Sequence, residues 1–133
     1  MDARQMIRLV FLFEDLEPDE QWAAAALLRP FAAVKGEVLF ERDAPAERLY
    51  LIASGSVDVD PFGTVGASGV LGEAALNGRT THAATARALT EVHGFTLEAA
   101  QFEVLCAAAH PIAAKVLRQL ALALAVRVRA EAA

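Results

Sequence analysis

The sequence predicts a mainly β domain with flanking helices, in the α+β class. Short apolar or alternating segments recur roughly every eight to twelve residues between positions 31 and 97, separated by glycine turns, which is typical of a sandwich or barrel. Apolar residues return to helical spacing on both sides of this region. The length of 133 residues accommodates one compact domain, 1–133, and no linker or internal repeat interrupts it.

Residues 1–30 are predicted to form the N-terminal helices. Pro18 and the acidic residues around it suit the first turn of a helix, because proline needs no backbone partner there and negative charge is favoured. An alanine-rich apolar run follows, and Pro30 is expected to end the helical region.

Residues 31–97 are predicted to form the barrel. Apolar residues at 38–40 and 49–52 indicate strands, and the turn at 54–56 precedes the alternating Val57-Asp58-Val59-Asp60. Further glycines divide the strands that follow. We expect the barrel to end close to Leu97.

Residues 98–133 are predicted to form the C-terminal helices. Thr96 is the expected N-cap of the first helix, and His110-Pro111 separates it from the second. The middle of the second helix is apolar on every side. This pattern indicates that more than one face of the helix packs against other residues. One interpretation is packing against its own barrel, and the other adds a homodimer interface along this helix. The stripe concerned comprises Leu117, Leu120, Leu124 and Val128.

Composition excludes several classes of protein. The chain has 17 acidic and 12 basic residues, a net charge of −5, which argues against the clustered basic face of a nucleic-acid-binding protein. A DNA-binding regulator would also need a further motif after the last helix, so we expect no nucleic-acid contact by this chain alone. Apolar runs are too short for a signal peptide or a membrane span, which predicts a soluble, cytoplasmic protein.

Signatures of catalysis are missing from the sequence. Neither lysine follows a phosphate-binding glycine loop, and the histidines are too dispersed for a metal site. The single cysteine, Cys106, excludes an intrachain disulfide, and its apolar surroundings favour a small buried side chain over a reactive thiol. We therefore predict no enzyme activity, no metal and no cofactor.

The informative segment runs from Gly72 to Ala88. A glycine turn opens one helical turn, Glu73-Ala74-Ala75, and a polar loop then returns the chain to a strand. Backbone N–H groups at the start of such a turn can receive an anion. Glu73 could accept a hydrogen bond from a sugar hydroxyl or could simply cap the turn.

This segment resembles the phosphate-binding cassette of cyclic nucleotide-binding domains, as found in cAMP receptor proteins, kinase regulatory subunits and channels. The family pattern, G-E-[LM]-A-L followed by P-R-[AST]-A-T-[VA]-x-A, aligns without a gap over 72–88. Residues 35–40 and 44–57 resemble the family's preceding strands. The resemblance implies a double-stranded β-helix, or jelly-roll barrel, and a regulatory module that binds cAMP or cGMP.

The resemblance also implies roles for five residues. Glu73 corresponds to the glutamate that holds the ribose 2′-hydroxyl, and Gly72 and Ala74 correspond to backbone that lines the ligand. Ala83 corresponds to a position where alanine is usual in cAMP-preferring kinase cassettes and a hydroxyl residue is common elsewhere. The position of the arginine that pairs with the cyclic phosphate holds His82.

His82 is the important departure from the pattern, because histidine lacks the permanent charge and paired donors of arginine. We expect either a weakened phosphate contact or an exposed loop residue in a site that has lost its ligand. Arg79 could also reach inward. The alternative function is a degenerate, non-binding relative that serves in dimerisation or protein docking.

Overall fold

The structure, a computed structural model, describes residues 1–76 and 81–132, and for residues 125–132 it describes the backbone alone. Four helices and two short 3₁₀ turns flank or interrupt the strands. The helices are α1 (Ala3–Leu9), α2 (Pro18–Leu27), α3 (Ala99–Ala107) and α4 (Pro111–Ala132), and the 3₁₀ turns are Phe11–Phe13 and Glu73–Ala75. The strands are β1 (Arg29–Ala33), β2 (Val38–Phe40), β3 (Arg48–Ser54), β4 (Val57–Asp60), β5 (Gly63–Val65), β6 (Val70–Leu71), β7 (Thr85–Ala88) and β8 (Val92–Glu98).

The strands form two antiparallel four-stranded sheets, which confirms the predicted mainly β class with flanking helices. Their strand orders are β1-β8-β3-β6 and β2-β7-β4-β5. Residues from both sheets share one buried cluster, so the sheets pack face to face.

Strand β3 shows how the sequence produces three layers. Successive side chains of a strand point to opposite faces, so apolar residues on both faces indicate that both faces are buried. Tyr50 and Ile52 join the cluster between the sheets, whereas Leu49 and Leu51 join a second cluster with the helices. The first sheet is therefore the middle layer, between the helices and the second sheet.

Two predicted boundaries are wrong. Pro30 lies inside β1, where it pairs with Phe95, and proline is tolerated there because β1 is an edge strand. Thr96 lies inside β8 and is buried between Arg29 and Tyr50 of the neighbouring strands. Helix α3 instead begins after Glu98. In both cases strand pairing with distant residues overrides the local preference.

The first half of α4 is fixed to the N-terminal helices. Lys115 forms an ion pair with Glu20 of α2, and Asp15 accepts hydrogen bonds from Arg118 at 3.0 Å and Gln119 at 2.8 Å. Apolar contacts add to these bonds, since Leu120 and its neighbours lie in the helix-facing core. These contacts hold the first half of α4 against the N-terminal segment.

The structure covers part of the predicted dimer stripe within the domain itself. Leu120 is buried in the core and Leu117 packs against it. Leu124 is partly exposed, and the side chain of Val128 lies outside the described residues. The expectation of a buried Cys106 is wrong, because its side chain is exposed on α3.

Gly94, in the centre of β8, provides a test of how closely the strands approach. A Cβ there would collide with the carbonyl oxygen of Leu51 and lie 2.9 Å from Cε1 of Phe31. We expect Gly94→Ala to lower the free energy of unfolding by about 3 kcal/mol, because neither β3 nor β1 can move without loss of pairing. Gly66→Ala is the control, since nothing lies within 4 Å of its Cβ position. Equal urea midpoints for the two variants would contradict this packing.

Candidate functional site

The candidate site is a cavity of about 580 Å³ lined by the second sheet, the Gly72–Ala74 turn and α4. This volume is in the range of small-molecule sites. The cavity brings together all five residues that the sequence analysis singled out. They are Gly72, Glu73, Ala74, His82 and Ala83.

Gly72 shapes the entry to the turn. Its φ of 76° is in the left-handed region that favours glycine. A Cβ there would lie 3.0 Å from the carbonyl oxygen of Arg48 and 3.3 Å from Cε1 of His82. The chain therefore bends sharply after β6, and its backbone lies against His82. Main-chain atoms form the cavity wall at this point.

Glu73 begins the 3₁₀ turn that follows. The turn is closed by hydrogen bonds from Ala75 N to Gly72 O at 3.0 Å and from Leu76 N to Glu73 O at 2.9 Å. Ala75 and Leu76 are buried, whereas Glu73 is half-buried and lines the cavity. The turn is anchored by its buried apolar residues, so the core fixes the backbone from which the Glu73 side chain extends.

His82 is buried, with only 4% of its surface exposed, so the alternative of a solvent-exposed loop residue is wrong. Its ring stacks on Phe40, with centroids 3.9 Å apart and planes 17° apart. Phe40 in turn contacts Tyr50 at a centroid distance of 5.7 Å. The backbone is also held, because His82 N donates to Ala44 O and Asp43 N donates to His82 O, both at 2.9 Å. These contacts fix the imidazole in the cavity wall.

Burial lowers the pKa of His82 below its ordinary value, because desolvation disfavours the imidazolium. The negative charge of Glu47 acts in the opposite direction and has the smaller effect. The imidazole is therefore neutral at neutral pH, and it offers a weak partner for an anion.

The lowered pKa of His82 predicts a pH-dependent stability. The unfolded chain binds this proton at a higher pH than the folded chain, so stability is full above about pH 6.5 and falls as pH drops towards the folded-state pKa. Urea unfolding between pH 8 and 5.5 should show wild type losing more stability than His82→Gln. The comparison variant is His93→Gln, at an exposed histidine outside the cavity. Parallel curves for wild type and His82→Gln would contradict the assignment.

The other end of the cavity is apolar, and sequence reasoning missed it. Phe62, in the β4–β5 turn, lines the cavity although 69% of its surface is exposed, and Leu124 of α4 lies there with 38% exposed. For Phe62 the sequence did contain one signal, namely a large aromatic side chain between a proline and a glycine in a turn.

Three further expectations concern a loop arginine, a metal site and a membrane span. Arg79 lies outside the described residues. Within the described part of the chain, no group of three or more histidine, cysteine or acidic residues is placed to hold a metal ion. None of the described helices has both the length and the hydropathy to cross a bilayer.

Comparison with known proteins decides the family. The family model of the cyclic nucleotide-binding domain matches residues 31–109, which include the whole cassette and both sheets except the first two residues of β1. The chain belongs to this family. Family membership confirms the suggested resemblance, and because domains of this family are regulatory rather than catalytic, it also confirms that the chain is not an enzyme.

One sequence relative is a cyclic nucleotide-gated potassium channel of Mesorhizobium japonicum, which is 31% identical over 120 residues. The match covers 89% of this chain and 34% of the channel, so the chain spans about a third of that relative's length.

Solved structures of the family share the fold. A cyclic nucleotide-binding protein from Geobacter metallireducens has a TM-score of 0.84 at 18% identity, covering 96% of this chain and 99% of that one. The cAMP-bound protein PfPKA-R has a TM-score of 0.67 at 25% identity, covering 77% of this chain and 39% of that one. These likenesses confirm the jelly-roll barrel.

Proposed function

We propose that this domain is a regulatory module that binds a cyclic nucleotide, cAMP or cGMP, in the described cavity. One observation carries the proposal. The five residues assigned from the family pattern, which are separated by as many as eleven positions in the sequence, line a single cavity of suitable volume. PfPKA-R, which shares the fold, was solved with cAMP bound.

The lining residues suggest how the ligand lies. The Glu73 carboxylate accepts a hydrogen bond from the ribose 2′-hydroxyl, and the cyclic phosphate lies against the backbone of Gly72 and Ala74 beside His82. This orientation places the charged part of the ligand at the polar end of the cavity. The base then extends towards Phe62 and Leu124.

His82 weakens the affinity in this proposal. An arginine would present a permanent charge and two parallel donors to the phosphate, whereas the buried, neutral imidazole presents at most one donor. The domain therefore responds to cyclic nucleotide at higher concentrations than an arginine-containing site would.

A thermal-shift panel tests the proposed function. A ligand that binds only the folded state raises the melting temperature by mass action, with about 2.7 kcal/mol of stabilisation at a hundred times its Kd. We expect cAMP or cGMP at millimolar concentration to raise the melting temperature, and 5′-AMP and cyclic dinucleotides to act less. No shift with either cyclic mononucleotide, together with no heat in calorimetry, would overturn the proposal.

We propose, second, a homodimer through α4. Such an interface would also fit the alternative function, in which the domain serves in dimerisation or protein docking and binds no ligand. The observation in its favour is that Leu122 of α4 is 47% exposed, on a different face of the helix from the buried Leu120. We expect sedimentation at high micromolar concentration to detect a dimer, and Leu122→Glu to dissociate it, because a buried unpaired charge costs several kcal/mol. A pure monomer in the wild type would exclude this interface.

The predicted cytoplasmic location stays a prediction.

A further inference from the structure

Tyr50 extends from β3 of the first sheet towards β2 of the second sheet. The residue is buried, and its hydroxyl donates a hydrogen bond to the carbonyl oxygen of Leu39 at 3.2 Å. Burial of a hydroxyl is unfavourable unless a hydrogen bond compensates it. The bond to Leu39 therefore links the two sheets at the edge strand β2.

The pairing of β2 is irregular at the point where this bond is made. The register with β7 shifts between Val38 and Phe40, and a shift of this kind disrupts the regular ladder locally. Leu39 and Phe40 share one planar peptide group, so a hydrogen bond to the Leu39 oxygen orients the whole group. Tyr50 thus fixes the backbone of Phe40 where the strand ladder is interrupted.

The aromatic rings extend this restraint to the cavity. The Tyr50 ring contacts Phe40 with centroids 5.7 Å apart, and it contacts Phe31 edge-to-face at 5.3 Å. Phe40 stacks on His82 with nearly parallel planes, and both residues line the cavity. The imidazole keeps this contact only if the two rings tilt together, so the plane of Phe40 sets the plane of His82.

Arg48 supports the Tyr50 hydroxyl from the same strand. The two residues are two positions apart on β3, so their side chains leave the same face of the strand. Hydrogen bonding with Tyr50 raises the pKa of Arg48 most, burial lowers it, and Glu98, which accepts from Arg48 Nε at 3.1 Å, raises it further. The hydroxyl gives its one proton to Leu39, so it accepts from Arg48, whose guanidinium can only donate.

We propose that Tyr50 is a positioning residue for the ligand cavity: its hydroxyl fixes the Leu39–Phe40 peptide and so sets the plane of the His82 ring. Hydrogen bonds weaken steeply when they are misaligned, so the plane of the imidazole decides how well its N–H reaches a phosphate. The effect on the ligand rests on the proposed function. The effect on the His82 ring does not, and it is measurable without ligand.

Proton–carbon NMR spectra of the histidine rings test the positioning in the free domain. Tyr50→Phe removes only the hydroxyl, and we expect the His82 ring protons, which lie against Phe40, to change chemical shift. Thr90→Val is the matched control, because it also removes a hydroxyl with two hydrogen bonds, at a position outside the cavity. We expect the control to leave His82 unchanged. Unchanged His82 shifts in Tyr50→Phe, or equal changes in both variants, would overturn the proposal.

Calorimetry with cAMP tests the consequence for the ligand. We expect Tyr50→Phe to weaken binding about threefold to tenfold, because the misdirected imidazole loses its hydrogen bond to the phosphate. In a His82→Ala background the same substitution should leave the Kd unchanged, since the ring that Tyr50 positions is gone. An equal loss in both backgrounds would overturn the proposal. Absence of binding by wild type would overturn the proposed function, and the ring spectra would still decide whether Tyr50 positions His82.

Arg48→Met provides a second variant if Tyr50→Phe is unstable, and melting without ligand shows whether each variant folds. It removes the donor to the hydroxyl and leaves the aromatic rings in place. We expect it to change the His82 ring shifts as well, and the double variant with Tyr50→Phe to add little, because residues in one hydrogen-bond network are not additive. Fully additive changes, or none in Arg48→Met, would contradict a path through the Tyr50 hydroxyl.

Discussion

Replacing Glu73 by alanine is expected to weaken the binding of cAMP or cGMP by more than tenfold. Glu73 lines the cavity from a turn whose apolar residues are buried, so the backbone that carries this side chain is fixed by the core. A hydrogen bond between a hydroxyl and a charged acceptor contributes about 1.5–3 kcal/mol, and about 1.4 kcal/mol corresponds to a factor of ten. Calorimetry of wild type and variant at the same pH measures the difference directly.

Glu103→Ala is the matched control for this prediction. Glu103 is an exposed glutamate on α3, outside the cavity, so its removal changes the net charge of the protein by the same amount. We expect the control to bind like wild type. If Glu73→Ala also binds like wild type, the carboxylate caps its turn and does not hold the ligand.

Replacing His82 by arginine is expected to tighten binding by roughly tenfold or more. The guanidinium carries a permanent charge and donates two parallel hydrogen bonds to a phosphate, which strengthens the contact by about 1–3 kcal/mol. Phe40 stacks on the imidazole, and a planar guanidinium can stack on the same ring. Phe40 therefore supports the new side chain at the polar end of the cavity.

The same substitution should abolish a pH dependence of binding. Burial lowers the pKa of His82 in the free domain, and a phosphate beside the ring raises it in the complex. By linkage, wild-type affinity increases as pH falls through the pKa of the complex and levels off below that of the free domain. Calorimetry from pH 8 to 5.5 tests this for wild type and His82→Arg. A flat wild-type profile, with no gain in the arginine variant, would mean that His82 does not face the phosphate.

The elements predicted correctly from the sequence are those in which local pattern and tertiary packing agree. Alternation in Val57–Asp60 matches a strand with one buried face, and Pro18 begins α2 as its position in an acidic segment indicates. Thr96 and Pro30 were misplaced because both pair with residues on distant strands. The local sequence around each residue does not indicate pairing with a distant strand.

The polar end of the site was predictable and the apolar end was not. Gly72, Glu73 and Ala74 belong to one continuous motif, so the family pattern identifies them together. His82 lies in the loop before β7 and stacks on Phe40 of β2, and the local sequence does not reveal this contact. Phe62 and Leu124 line the cavity from the β4–β5 turn and from α4, two elements that lie far apart in the sequence.

An NMR titration with cAMP tests the central claim most directly, because it reports both binding and its location. Amide proton–nitrogen correlation spectra should show progressive shifts for Gly72, Glu73, Ala74, His82 and Ala83. Amides of the N-terminal helices, for example Arg8 in α1, should stay unchanged or move far less. Shifts confined to surfaces away from the cavity, or none at millimolar cAMP and cGMP, would contradict the account.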